Sequence, residues 1–303
     1  MDRLTERVRQ AALAAGADLV GFAPISRFDD APSELHPYTI FPQTRTVIAI
    51  ATRKLRGTLK TVEEGTYWQA YNADSYAYPS WILSIWILRN IILLLEDEGC
   101  TGVPIHNPFM ERVGRKLRPE HISGPDGQVS LRVIGVAAGL GEFGHSKVVL
   151  TPQFGPRQRI FAVLTDAELE PTPLFTGKIC DDCLLCVKEC EACAIGRSRE
   201  VKLTIEGQEY SHAPFNEVAC SPVHSGRDPR FSPFFDGTEE EGEYPAYNKF
   251  LMHNFRVMGI CVGRGCLRAC VDHLEKTGRI KSGYKTPMIE RERWKLDSPP
   301  WSV

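Results

Sequence analysis

Cys180-Asp-Asp-Cys183-Leu-Leu-Cys186-Val-Lys-Glu-Cys190 sets four thiols at spacings of two, two and three intervening residues. Three cysteines two apart let a short loop wrap one iron–sulfur cubane, and the fourth leaves the loop on a helix and ligates a second cluster. The run therefore predicts a partner set downstream, and the chain supplies Cys220, Cys261, Cys266 and Cys270. The crossing rule assigns Cys180, Cys183, Cys186 and Cys270 to one cluster, and Cys190, Cys220, Cys261 and Cys266 to the other. Zinc is the rival reading, since CxxC pairs also bind zinc. A zinc knuckle uses two pairs with a spacer rather than four close thiols, which favours iron. Cys193 is expected as a small buried thiol beside a cluster, and Cys100 as a core thiol.

The chain has 303 residues, enough for one large or two ordinary domains. Its 36 basic and 38 acidic residues give a formal charge of −2, which argues against a nucleic-acid partner. Residues 1–20 read as a charged amphipathic helix rather than a signal peptide, and no twin-arginine motif is present. With thiolate ligands, the expected compartment is a reducing cytoplasm. The apolar run Trp81–Leu95 holds Arg89 and Asn90 and is short for a membrane span. Pro79 suits a first helical position and Gly99 a C-terminal cap, so residues 79–98 are expected as one buried helix, with no membrane span.

In chain order, a helix capped at Asp2 and closed at Gly16 leads to a short strand over Asp18–Ala23. Thr46-Val-Ile-Ala-Ile-Ala51 is continuously apolar, so the strand is expected to be buried on both faces. Residues 54–78 read as irregular and aromatic, and 101–105 as a strand. Residues 106–128 read as a long loop, and Ser130 caps a helix over Leu131–Ala138. Gly139-Leu-Gly141-Glu-Phe-Gly144-His145-Ser146 allows tight turns and close approach to a ligand, without being a dinucleotide fingerprint. Strands follow at Val148–Leu150, Ile160–Leu164 and Lys202–Ile205. The acidic run Glu239–Glu241 reads as solvated surface. The resulting expectation is an α/β (α+β) core over residues 1–172, a two-cluster module over 173–285, and a tail over 286–303.

Gly16-Ala-Asp-Leu-Val-Gly21, Ala138-Gly-Leu-Gly-Glu-Phe-Gly144, Thr151-Pro-Gln-Phe-Gly-Pro-Arg157 and the cysteine run occur in that order. Together they resemble the superfamily of epoxyqueuosine reductases and reductive dehalogenases, over roughly residues 5–275. The resemblance implies a nitroreductase-like core that holds base-off cobalamin, and an embedded ferredoxin-like module with two [4Fe–4S] clusters. It also implies electron delivery to cobalt and reduction of an epoxide or organohalide. Gly139, Leu140, Gly141, Phe143, Gly144, His145 and Ser146 are then the expected cofactor-binding residues. The chain departs from the epoxyqueuosine branch, because Ile122-Ser-Gly-Pro-Asp126 stands where an Asp-Thr-Gly-Pro segment is expected. Where the family usually has a basic residue after the glycine motif, this chain has His145.

Under this reading the protein is a reductase that takes electrons from a low-potential ferredoxin- or flavodoxin-type donor and acts on a small molecule. Its expected proton donors are Tyr76, Tyr78 and His145, with Tyr67 and Tyr71 in the same aromatic stretch. The alternative is an electron-transfer protein that serves a partner enzyme, with no corrinoid or with another tetrapyrrole or flavin.

Overall fold

The computed structural model describes residues 3–32, 35–106, 129–226, 228–233, 265–281, 283–292, 294 and 296. Cys261, Asp126, the loop beyond His106, Glu239–Glu241 and the end of the tail lie outside the described residues.

The continuously apolar stretch forms β2 (Thr46–Arg53), the strand around which the core is built. Successive side chains of a strand point to opposite faces. Val47, Ala49 and Ala51 thus enter one apolar cluster, with Val136 and Ala137. Ile48 and Ile50 enter the other, with Val8, Ile87 and Ile91. β2 lies between β1 (Leu19–Pro24) and β6 (Gln158–Thr165), and β3 (Gly102–Ile105) extends the sheet beyond β6. Every pairing is antiparallel, with Ile48 opposite Phe22 on one side and Val163 on the other. The sheet is thus α+β in character, with helices covering both faces of an antiparallel sheet. α1 (Arg3–Ala14) and α3 (Ser84–Asp97) lie on one face and α4 (Leu131–Ala137) on the other. Ser130 caps α4 by accepting from Val133 N–H. Two short hairpins, β4 (Glu142–Phe143) with β5 (Val149–Leu150) and β7 (Val201–Ile205) with β8 (Gln208–His212), sit beside this core.

The helix expected over 79–98 begins earlier and is only half buried. It runs from Tyr71 to Asp97, with wide π-type turns over Tyr71–Ala77 and Pro79–Leu83 ahead of α3. Proline has no N–H to give to an α-helical bond, and a wide turn accommodates that gap. Ile87, Leu88, Ile91 and Leu95 are fully buried, whereas Ile82 and Trp86 are 61 % and 58 % exposed. Among the described residues this is the one helix long and apolar enough to cross a membrane, and its inner face packs on α1 and the sheet.

The region read as irregular contains α2 (Arg56–Glu63). Leu59 and Val62 pack with Tyr71, Tyr76, Leu267 and Val271, which brings α2 against α7 (Cys266–Lys276). Two ion pairs lock these helices together. Arg268 Nη2 donates to Glu63 Oε1 at 3.0 Å, and Arg56 makes a forked contact with Glu275, at 2.8 Å from Nη2. All four side chains are nearly inaccessible to solvent. Burial pushes the Glu63 carboxyl above its ordinary range, opposed by Arg268.

Candidate functional site

The cysteine run enters the structure as a tight loop ending in α5 (Leu185–Lys188). Asp182 and Leu184 both take left-handed backbone, each at φ 57°. That conformation costs a non-glycine residue about 1–2 kcal/mol, so it persists only where the surroundings impose it. The glycine segment supplies part of that constraint. Glu142 Oε1 accepts from Ile179 N–H at 2.7 Å and from Cys180 N–H at 2.6 Å. His145 N–H donates to Cys180 Sγ at 3.4 Å.

Cys180, Cys183, Cys186 and Cys270 line one cavity, together with Gly144, His145 and His273. Burial pushes the Cys186 thiol up to about 11, with the nearby Cys180 and Cys183 adding to the shift. Cys270 is raised well above its ordinary value by burial and then by Cys186, Cys180 and Cys183. The second group forms around Cys266, pushed up to about 12 by burial and then by Cys190, Cys220 and Cys186. Cys220 is raised by burial and by Cys190, against the charge of Arg132 from α4. The fourth expected member, Cys261, lies outside the described residues. Cys266 and Cys270 stand four apart on α7, so they share one helical face a turn apart. That separation lets one helix serve both groups.

Cys193 does not line the four-thiol cavity. The sequence reading expected it buried, but it is exposed and left-handed, at φ 47°. The Cys190 carbonyl accepts its N–H and directs the chain outward there. Cys100 is half-buried against the sheet core.

Asp181, Cys183 and His273 also bring donor atoms within 4.8 Å of one another, a set that could hold a single metal ion. His273 Nε2 lies 2.9 Å from Asp181, and Arg279 lies 3.2 Å from the same carboxylate. Burial opposes ionisation of Asp181, but His273 and Arg279 outweigh it and hold the carboxyl below its ordinary range.

The glycine segment meets its own chain. A Cβ at Gly139 would collide with Pro173 O, one at Gly141 with Leu150 O, and one at Gly21 with Ala138 O. Leu140 and Phe143 are core residues, and Phe143 packs edge-on against Tyr210. Gly144, His145 and Ser146 reach the four-thiol cavity. The His145 ring is buried and donates from Nε2 to Gly196 O at 2.9 Å, with Nδ1 3.6 Å from Asp182. Its backbone and ring are thus engaged around Cys180.

The tyrosines are dispersed. Tyr71 and Tyr76 are buried in the cluster between α2 and α7, and the Arg159 guanidinium lies 4.3 Å from the Tyr76 ring centre. Burial pushes the Tyr76 hydroxyl up, against the Arg159 charge. Tyr67 and Tyr78 are about half exposed. Arg199 is a site residue the sequence reading missed. It stands in the loop Gly196-Arg-Ser-Arg199, and no motif marks it.

No family model matches the chain. In sequence it is similar to tetrachloroethene reductive dehalogenases. One from Desulfitobacterium hafniense is 35 % identical over 113 residues, 36 % of this chain and 20 % of the relative. One from Dehalobacter restrictus is 34 % identical over the same length. In fold it is similar to a reductive dehalogenase solved to explain B12-dependent dehalogenation, with a TM-score of 0.55 and 15 % identity, over 98 % of this chain and 43 % of the other. A catabolic reductive dehalogenase in complex with 3-bromo-4-hydroxybenzoic acid also gives 0.55, at 14 % identity, over 94 % and 39 %. An epoxyqueuosine reductase superposes more loosely, at 0.48 and 16 % identity, over 86 % and 64 %. The chain therefore spans a fifth of the length of the curated dehalogenases and about two fifths of the solved ones. The expected resemblance is met for the reductive dehalogenases, in sequence over about a third of the chain and in fold over nearly all of it.

Proposed function

We propose that the protein is an iron–sulfur reductase of the reductive dehalogenase and epoxyqueuosine reductase type. One [4Fe–4S] cluster would be held by Cys180, Cys183, Cys186 and Cys270, and a second by Cys190, Cys220, Cys261 and Cys266. The observation that carries this reading is the four-thiol cavity, with a second group of thiols meeting at Cys266. Thiols that burial and mutual repulsion keep protonated become ligands when a polynuclear cation displaces their protons. The donor set therefore fits the clusters.

When bound, the clusters supply one-electron transfer at low potential. The chain positions them for that role. Cys183 and Leu184 are exposed, which opens the first cluster to a ferredoxin- or flavodoxin-type donor. In the second group, the charge of Arg132 from α4 reaches Cys220. Glu142 and His145 tie the first loop to the core.

The acceptor in the core would be base-off cobalamin acting on an epoxide or organohalide, a part of the proposal that rests on the relatives. The described glycine segment does not fit a corrinoid cradle, because the space beside Gly139 and Gly141 is filled by backbone. This same observation favours a second reading, an electron-transfer protein whose clusters serve a partner enzyme.

The test is anaerobic purification from cells supplied with cobalamin, with iron, cobalt and absorption analysis. About eight irons and one cobalt per chain support the reductase. The same iron with no cobalt, even after reconstitution, supports the electron-transfer protein. Stoichiometric zinc in place of iron overturns both.

A further inference from the structure

We propose that Arg199 sets the reduction potential of the first cluster through a charge-assisted hydrogen bond to Cys180, and that Asp182 opposes it. This rests on the assignment of Cys180 as a cluster ligand. Arg199 stands just before β7, outside the cysteine run. Its Nη2 donates to Cys180 Sγ at 3.1 Å. Its Nε donates to Asp182 Oδ1 at 2.7 Å, and its Nη1 to Ser211 O at 2.5 Å. A longer Nη1 contact, 3.5 Å, reaches Phe143 O. The guanidinium is thus held on the cysteine loop, β4 and β8 at once. A rigid, always-charged fork pinned on several sides keeps one N–H aimed at the sulfur.

Reduction adds one electron from the low-potential donor to the cluster and its thiolates, with no bond broken and no proton required. The sulfurs become more negative, so a donor aimed at one of them stabilises the reduced form more than the oxidised form. Hydrogen bonds to cluster sulfurs and local net charge are established controls on potential. Cys180 receives two such bonds, from Arg199 and from His145 N–H. In the second group, Ala194 N–H donates to Cys190 Sγ at 3.3 Å. Among the described residues, no guanidinium donates to a thiol of that group. Arg132 brings its charge near Cys220 instead, so the effect of Arg199 is read against the first cluster's own parent value.

Asp182 supplies the control. Its Oδ1 lies 3.8 Å from Cys180 Sγ and takes the Arg199 Nε bond. Removing Arg199 deletes a positive charge and takes from this carboxylate its nearest cationic partner. Replacing Asp182 by asparagine keeps the shape, tolerates the left-handed backbone and removes the opposing charge.

The experiment is an anaerobic redox titration of the reconstituted full-length chain, followed by electron paramagnetic resonance, for the parent, Arg199→Gln and Asp182→Asn. Arg199→Gln is expected to make reduction of one cluster at least tenfold less favourable, a fall of 59 mV for one electron. Asp182→Asn is expected to shift the same signal upward, while the other cluster moves less in both variants. If Arg199→Gln fails to assemble the first cluster, Asp182→Asn decides alone. An upward shift of one signal supports the proposal, and an unchanged or lowered one overturns it. Full iron with both midpoints unmoved in both variants overturns the tuning role and leaves the cluster assignment standing. A parent chain with no [4Fe–4S] signal after reconstitution overturns the cluster assignment and the tuning role with it.

Discussion

Along β2 the fully buried side chains are Val47, Ile48, Ala49, Ile50 and Ala51, flanked by the buried hydroxyls of Thr46, which donates to Ala167 O, and Thr52. Around α7 burial falls instead on Cys186, the Arg268 guanidinium and the Glu63 carboxylate, with Cys266 and Cys270 half-buried. Each buried Ile of the sheet contributes about 1.5–3 kcal/mol without a partner. A buried ion pair contributes little net stability, but losing one partner leaves an uncompensated charge. The sheet is therefore self-sufficient, and the thiol half depends on what it binds.

The sharpest way to break that comparison is to withhold iron. Chelation under reducing conditions is expected to remove hydrogen-exchange protection from α5, α6 (Glu217–His224) and α7 while β2 and β6 remain protected. Uniform loss of protection would mean that the two halves fold as one unit. Cys183→Ala should act the same way on a smaller scale, removing about half of roughly eight irons.

Next in size is Glu63→Ala, which strands Arg268 inside the contact between α2 and α7. Urea unfolding of the iron-loaded chain should show a loss of about 3–5 kcal/mol. A change below about 1 kcal/mol would show that water reaches Arg268 and that the clamp is looser than its geometry implies.

The sheet half offers a calibrated contrast. Ile48→Val removes one methylene from a fully buried site and should cost about 0.5–1.5 kcal/mol with the iron content unchanged. Ser130→Ala should cost about 0.5 kcal/mol, the low end for a cap, because the bond to Val133 N–H is long at 3.4 Å. Cys193→Ala is expected to leave both iron and stability at parent levels, since that thiol is exposed and does not line the four-thiol cavity. Loss of half the iron in that variant would place Cys193 among the ligands.

Local pattern was legible wherever one residue type dominates its own surroundings. The apolar run at 46–51 reads as a strand covered on both faces, and so it is, because six consecutive apolar or small side chains leave neither face for water. The Ser130 cap and the strands at 102–105 and 201–205 follow from equally local signals. The cysteine spacings predicted two groups with Cys266 and Cys270 in different ones, and the structure adds that both stand on α7.

Contacts between distant segments were not legible. α2 was hidden because its apolar face is narrow and is completed only by Tyr71, Tyr76 and α7. The outer face of the 71–97 helix also carries large apolar side chains, so composition predicted burial where Ile82 and Trp86 stand in the open. The glycines suggested room for a ligand, but a missing Cβ equally admits a neighbouring backbone, and the tertiary packing filled that room. Arg199 illustrates the limit most plainly. Sequence determined which thiols could gather, because ligand spacing is a property of the local chain. Only the tertiary structure decided which charge faces Cys180, because that charge arrives from a loop whose path is set by β4 and β8.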